Sequence, residues 1–159
     1  MDSYTKTFVI KTSAQKLYEA ITTKKGLASW WTQQVEIYPQ VGGIATFHFG
    51  KDMDVVMKLA KLVPQKEVIW KCVEQYFPVK GTDKTDEWVG TTIKFTILEN
   101  PEGTTLVFAH EGMNANLVCY NECHDGWDYF MKSLKRYLET GEGTPFKEKT
   151  TTSKQPKKL

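Results

Sequence analysis

Arginine is almost missing from this chain of 159 residues: Arg136 is the only one. Proteins that read nucleic acids rely on arginine for planar forks to phosphate and to guanine edges. Nucleic acid is therefore not an expected partner. The formal net charge of +2 is also unevenly divided. Residues 147–159 hold five lysines and one glutamate, which leaves residues 1–146 slightly negative. A short basic tail on a near-neutral body gives only weak, salt-sensitive attraction to a polyanion.

Cysteine is scarce as well. Cys72, Cys119 and Cys123 are an odd number at irregular spacing, which argues against a disulfide framework and fits a reducing cytoplasm. Cys119 and Cys123 would share a helical face and could hold a soft metal. With His124 they open the helix, but their spacing is one residue longer than the usual C-x-x-C pair, and four-coordinate zinc would need further ligands. They read as cysteines lining a core or pocket, and no metal is expected. No run of ~18 apolar residues occurs, so no membrane insertion is expected. The stretch Met1–Lys6 lacks a basic flank followed by an apolar run, so no secretory signal is expected either. The G-x-S-x-G elbow, the P-loop, H-E-x-x-H and the dinucleotide fingerprint are all missing. The pattern thus names no catalytic residue and no cofactor.

What the chain does have is apolar bulk: 40% hydrophobic and 13% aromatic residues, enough for one globular core. Residues 4–12 read as a β-strand. Thr12 or Ser13 can cap a following helix, with Gln15 in a capping-box position. After an interruption at Gly26, Leu27–Trp31 looks like a second short helix. From about Val35 to His110 the apolar period is two, with tight turns at Val63–Lys66 and Asn100–Gly103. Tyr120–Thr140 carries a helical stripe of Trp127, Phe130, Met131, Leu134, Tyr137 and Leu138, stopped by Gly141. Residues 147–159 have no apolar period and should be disordered. The expected architecture is α+β: a curved antiparallel sheet of six to seven strands around a long C-terminal helix, with two short helices after the first strand, all within residues 1–146.

Several phrases resemble a known family. These are Thr12–Ile21 running on to Gly26–Trp31, Gly42-Gly43 before a strand, Val68-Ile69-Trp70 ending one, and Gly126-Trp127 through Tyr137–Gly141. Together they resemble the START-like, helix-grip superfamily (SRPBCC), in the branch of the activator of the ninety-kilodalton heat-shock protein's ATPase. The resemblance implies a cavity between sheet and helix. Relatives bind small hydrophobic molecules there, and a few catalyse reactions of the polyketide-cyclase type. It also implies a chaperone as a second kind of partner, although activators of that kind carry an additional domain for which these residues leave no room.

The pocket-lining candidates are Trp70, Trp88, Phe95, Phe108, His110, Cys123 and Trp127, with His110 as polar anchor and Trp88 near the entrance. Each aromatic has core filling as its ordinary alternative. For His110 the alternative is a histidine satisfied internally. Glu74 and Glu111 lie near strand ends and could reach a cavity rim. Asp83, Asp86 and Glu87 fall in a polar loop. Gly112–Leu117 could form a lid. The expected function is non-enzymatic binding of a small hydrophobic ligand. Stimulation of a chaperone ATPase is the second reading, and a polyketide-cyclase-like enzyme the third. Monomer and homodimer both remain open, with Trp30 and Trp31 as a conceivable dimer patch.

Overall fold

Alternation of buried and exposed side chains gives the strands, and a computed structural model describes residues 3–50, 53–78, 85–114, 117 and 120–147. Among these residues the elements run β1 (Ser3–Ile10), α1 (Ala14–Thr22), α2 (Lys24–Trp30), β2 (Gln34–Ile37), β3 (Ile44–His48), β4 (Asp54–Val63), β5 (Glu67–Tyr76), β6 (Thr92–Asn100), β7 (Gly103–Glu111) and α3 (Tyr120–Thr140). The seven strands form one antiparallel sheet in the order β1-β7-β6-β5-β4-β3-β2. Only β1 leaves sequence order, crossing beside β7. Short connections enforce the antiparallel pairing. At the β4–β5 turn Gln65 takes φ 65°, and the Lys66 amide donates to the Val63 carbonyl at 3.0 Å. At the β6–β7 turn a Cβ on Gly103 would lie 2.4 Å from the Ile10 carbonyl oxygen, so the reversal packs on the end of β1 only with glycine there.

The helix starts refine the sequence reading. Ser13 caps α1, its hydroxyl accepting from the Lys16 amide at 3.1 Å. Gln15 donates to Glu19 (3.3 Å) rather than closing a capping box. Thr23 caps α2 by accepting from the Gly26 amide at 3.0 Å, so that helix begins at Lys24, ahead of the expected Leu27. Gly26 does not interrupt it. A Cβ there would sit 2.5 Å from the Glu19 carbonyl oxygen, and the glycine instead lets α2 close against α1. Trp30 and Trp31 are not a surface patch, being 0% and 2% exposed. The Trp30 indole donates to the Ala20 carbonyl at 2.7 Å, tying the two helices together.

The inner sheet face is a continuous apolar surface of Phe47, Met57, Leu59, Val68, Trp70, Ile93, Phe95, Leu106 and Phe108, all fully buried. The stripe of α3 completes this core, with Trp127, Met131 and Leu134 buried and Phe130, Tyr137 and Leu138 partly so. At its centre Trp31 stacks on Trp70 and on Trp127, with ring centroids 5.8 and 5.2 Å apart. Gly141, at φ +91°, ends α3, and the chain doubles back as a strap. The Thr144 amide donates to Ser133 Oγ (2.7 Å), and that hydroxyl donates to the Trp30 carbonyl (2.7 Å). The Phe146 amide then donates to the Trp31 carbonyl at 2.8 Å, and its carbonyl accepts from the Gln33 amide. Of the tail 147–159, all but Lys147 lies outside the described residues.

Candidate functional site

Where β4 begins and β5 ends, the sheet parts from the first half of α3 and leaves a cleft of about 230 Å³. From α3 come Glu122, Cys123, Gly126, Trp127 and Phe130, which share one face because they repeat at three and four residues. The sheet side supplies Val55 and Gln75, with Phe49, Met53 and Phe77 just beyond strand ends. Trp31, Trp88 and Phe146 complete the wall. Seven of these side chains are Phe or Trp, and Glu122 is the only charged one. Phe146 reaches the cleft through the strap, its ring 5.7 Å from that of Phe49.

Three of the seven sequence candidates, Trp88, Cys123 and Trp127, line this cleft. Trp70, Phe95, Phe108 and His110 are fully buried behind it. They form the layer on which the wall rests: Phe108 lies 4.6 Å from Trp127, and Phe95 4.9 Å from Trp70, between ring centroids. Among the missed residues, Phe130 was legible in principle, since it follows Trp127 at i+3. Phe49, Phe77 and Phe146 sit outside regular elements, where no periodicity marks them.

His110 acts on the wall from behind. Its Nδ1 accepts from the Trp127 indole at 3.0 Å, which places the proton on Nε2. Nε2 then donates to Thr91 Oγ1 at 2.7 Å, and Thr91 donates to the Trp88 carbonyl at 2.6 Å. Both ring nitrogens are thus engaged within the protein. Desolvation pushes the imidazole pKa down to about 3, which keeps it neutral. The chain of bonds links the two tryptophans, whose rings stack 5.7 Å apart and 8° from parallel. Trp88 Nε1 is buried without an acceptor among the described residues, and so is Trp70 Nε1. With the Trp127 N–H committed to His110, the cleft meets these two indoles as rings rather than as donors.

Among the described residues, the other polar candidates do not converge on the cleft. His48 faces outward, its Nδ1 2.5 Å from Asp54. Glu111 pairs with Lys94 at 3.7 Å, Glu74 is exposed, and neither lines the cavity. Cys72 is buried, its thiol pushed up to about 12 by desolvation. One ligand atom each from His124, Asp125 and Asp128 lies within 4.8 Å of the others. Asp128 is already bonded by the Tyr4 hydroxyl and by Lys6 at 3.1 Å, so this cluster is an ion-pair network. The Tyr4 hydrogen bond, more than the lysine, holds the Asp128 carboxyl below the ordinary carboxylate range. Cys119, Asp83 and part of the expected 112–117 lid lie outside the described residues.

Residues 11–139 match the model of the family described as activator of Hsp90 ATPase homolog 1-like protein. The chain belongs to that family. No curated protein compared with this chain matches it. Among solved structures it is similar to the Aha1 dimer from Colwellia psychrerythraea, at 30% identity and a TM-score of 0.74, over 90% of this chain and 100% of the other. Protein SSP2350 from Staphylococcus saprophyticus superposes at a TM-score of 0.70 and 14% identity, over 90% and 96%. DynU16, from the dynemicin biosynthetic locus, does so at 0.67 and 18%, over 90% of this chain and 49% of its own. The last two show the fold alone. The helix-grip architecture of the family is therefore the architecture of this chain, and no helix of the described residues is long and apolar enough to cross a membrane.

Proposed function

We propose that this protein binds a small apolar molecule in the aromatic cleft, without transforming it. The observation that carries the reading is the wall itself: seven aromatic rings around about 230 Å³, with Glu122 and Gln75 as polar edges. A dry cavity of roughly 150 Å³ suffices for benzene, so this one suits a molecule of one or two rings. Catalysis has less support, because His110 is enclosed with both nitrogens engaged. Native mass spectrometry of freshly purified protein, set against its denatured mass, tests the proposal. A retained small molecule, or saturable binding of an apolar fluorescent probe competed by one, is the expected result. Folded protein that does neither would overturn it.

The family match favours a second reading, in which the domain engages a chaperone and stimulates its ATPase. The dimer from Colwellia psychrerythraea makes a homodimer the matching proposal for assembly. Adding the protein to the purified chaperone and following ATP hydrolysis decides this reading. An unchanged rate removes it.

A further inference from the structure

The charge of the cleft selects among apolar ligands, and this inference rests on the binding reading above. We infer that the ligand is a lipophilic cation: an organic ammonium whose hydrocarbon part fills the cleft and whose charge meets aromatic rings and Glu122.

Among the described residues, no lysine, arginine or histidine lines the cleft. Lys147 follows Phe146 in sequence but is exposed and is not part of the wall. An anion would need donors, and the wall offers few. The Trp127 N–H is bonded to His110, and the Trp88 N–H is buried away from the cavity surface. Gln75 is oriented by accepting from the Trp88 amide at 2.8 Å, and its NH₂, with two N–H bonds, is the remaining side-chain amide of the wall. A cation needs the opposite furniture. Aromatic rings attract it through the quadrupole at their faces. Trp31 and Trp88 both stack on Trp127 and cover one another's faces, which leaves the phenyl rings of Phe49, Phe77, Phe130 and Phe146 to meet a cation. Glu122, in the first turn of α3, makes no ion pair among the described residues, so its carboxylate has no internal cation to displace. An ammonium in the cleft would lie beside this exposed carboxylate.

The test uses three probes of one shape on the full chain: phenyltrimethylammonium, its uncharged isostere tert-butylbenzene, and benzenesulfonate. Binding is followed by tryptophan fluorescence and by NMR shifts. The expected order places the cation about tenfold tighter than the neutral isostere, with the sulfonate weakest. Glu122→Gln, an exposed and isosteric change, should cut the ratio of cation to tert-butylbenzene affinity at least about threefold. Neutral or anionic probes binding as tightly as the cation would overturn the inference and leave the binding reading standing. So would a cation preference untouched by Glu122→Gln, as far as the carboxylate's part is concerned. Failure of all three probes on folded protein would remove both readings together.

Discussion

At the scale of single residues, His110 shows how a side chain that looks like a ligand group can serve the wall instead. It lies on the inner face of β7 with Leu106 and Phe108, as alternation along that strand requires, and is fully buried. Burial has a thermodynamic signature. The folded imidazole, pushed down to about 3, refuses a proton that the unfolded chain takes up near 6.5. Stability from this group is therefore complete above about pH 6.5 and is lost as pH falls toward 3, by up to about 1.4 kcal/mol per pH unit. His110→Gln should lower stability at pH 7 by about 1–3 kcal/mol, because Trp127 and Thr91 lose well-placed partners. It should also flatten the decline between pH 6.5 and 5, before most carboxylates titrate. Urea unfolding midpoints at pH 7, 6 and 5 check both statements. Parallel declines in the two proteins would show that another group governs that window.

At the scale of elements, the strap after α3 controls the cleft, because it delivers Phe146. A Cβ on Gly143 would lie 2.4 Å from the Ser29 carbonyl oxygen and 3.0 Å from that of Ser133. Both are backbone atoms of packed helices and cannot give way cheaply. Gly143→Ala should therefore push the strap outward at a cost of about 1–3 kcal/mol and draw Phe146 off Phe49. Red-shifted tryptophan emission and severalfold weaker probe binding are the expected signs. Unchanged emission and affinity would mean that the strap does not wall the cleft. Legibility divides along the same line. The limits of α3 and the β4–β5 and β6–β7 turns were readable, because a helical stripe, a stop glycine and Pro-containing reversals are local signals. The start of α2 was not, since Gly26 reads as a breaker until its contact with α1 is known. On the site, Trp127 was legible from the stripe, and Cys123 lies four residues before it on the same helical face. Phe49, Phe77 and Phe146 were not, because loop residues converge only through tertiary packing. Trp70, Phe95 and Phe108 share the inward phase of the strands, but phase alone does not separate a cavity wall from the layer behind it.

Across the whole molecule, the cleft joins parts that are distant in sequence: Trp31 after α2, the ends of β4 and β5, the first half of α3, and Phe146 on the strap. A ligand there touches surfaces that exist together only in the folded chain, so it stabilises that state by mass action. At a free concentration one hundred times Kd the gain is about 2.7 kcal/mol. For a domain of 159 residues each kcal/mol raises Tm by roughly 2–4 °C. Saturating ligand should therefore raise Tm by about 5–10 °C at fixed protein concentration. Phe130→Ala, which removes a half-buried ring from the cleft, should weaken that shift more than it lowers Tm itself. Self-association gives a different dependence. If two copies cover the cleft, Tm rises with protein concentration and ligand competes with the second copy, so its shift shrinks as protein is added. Melting curves across a hundredfold range of protein concentration, with and without ligand, separate the two cases. A Tm that follows ligand and ignores protein concentration assigns the cleft to the small molecule, and the reverse assigns it to a second copy of the chain.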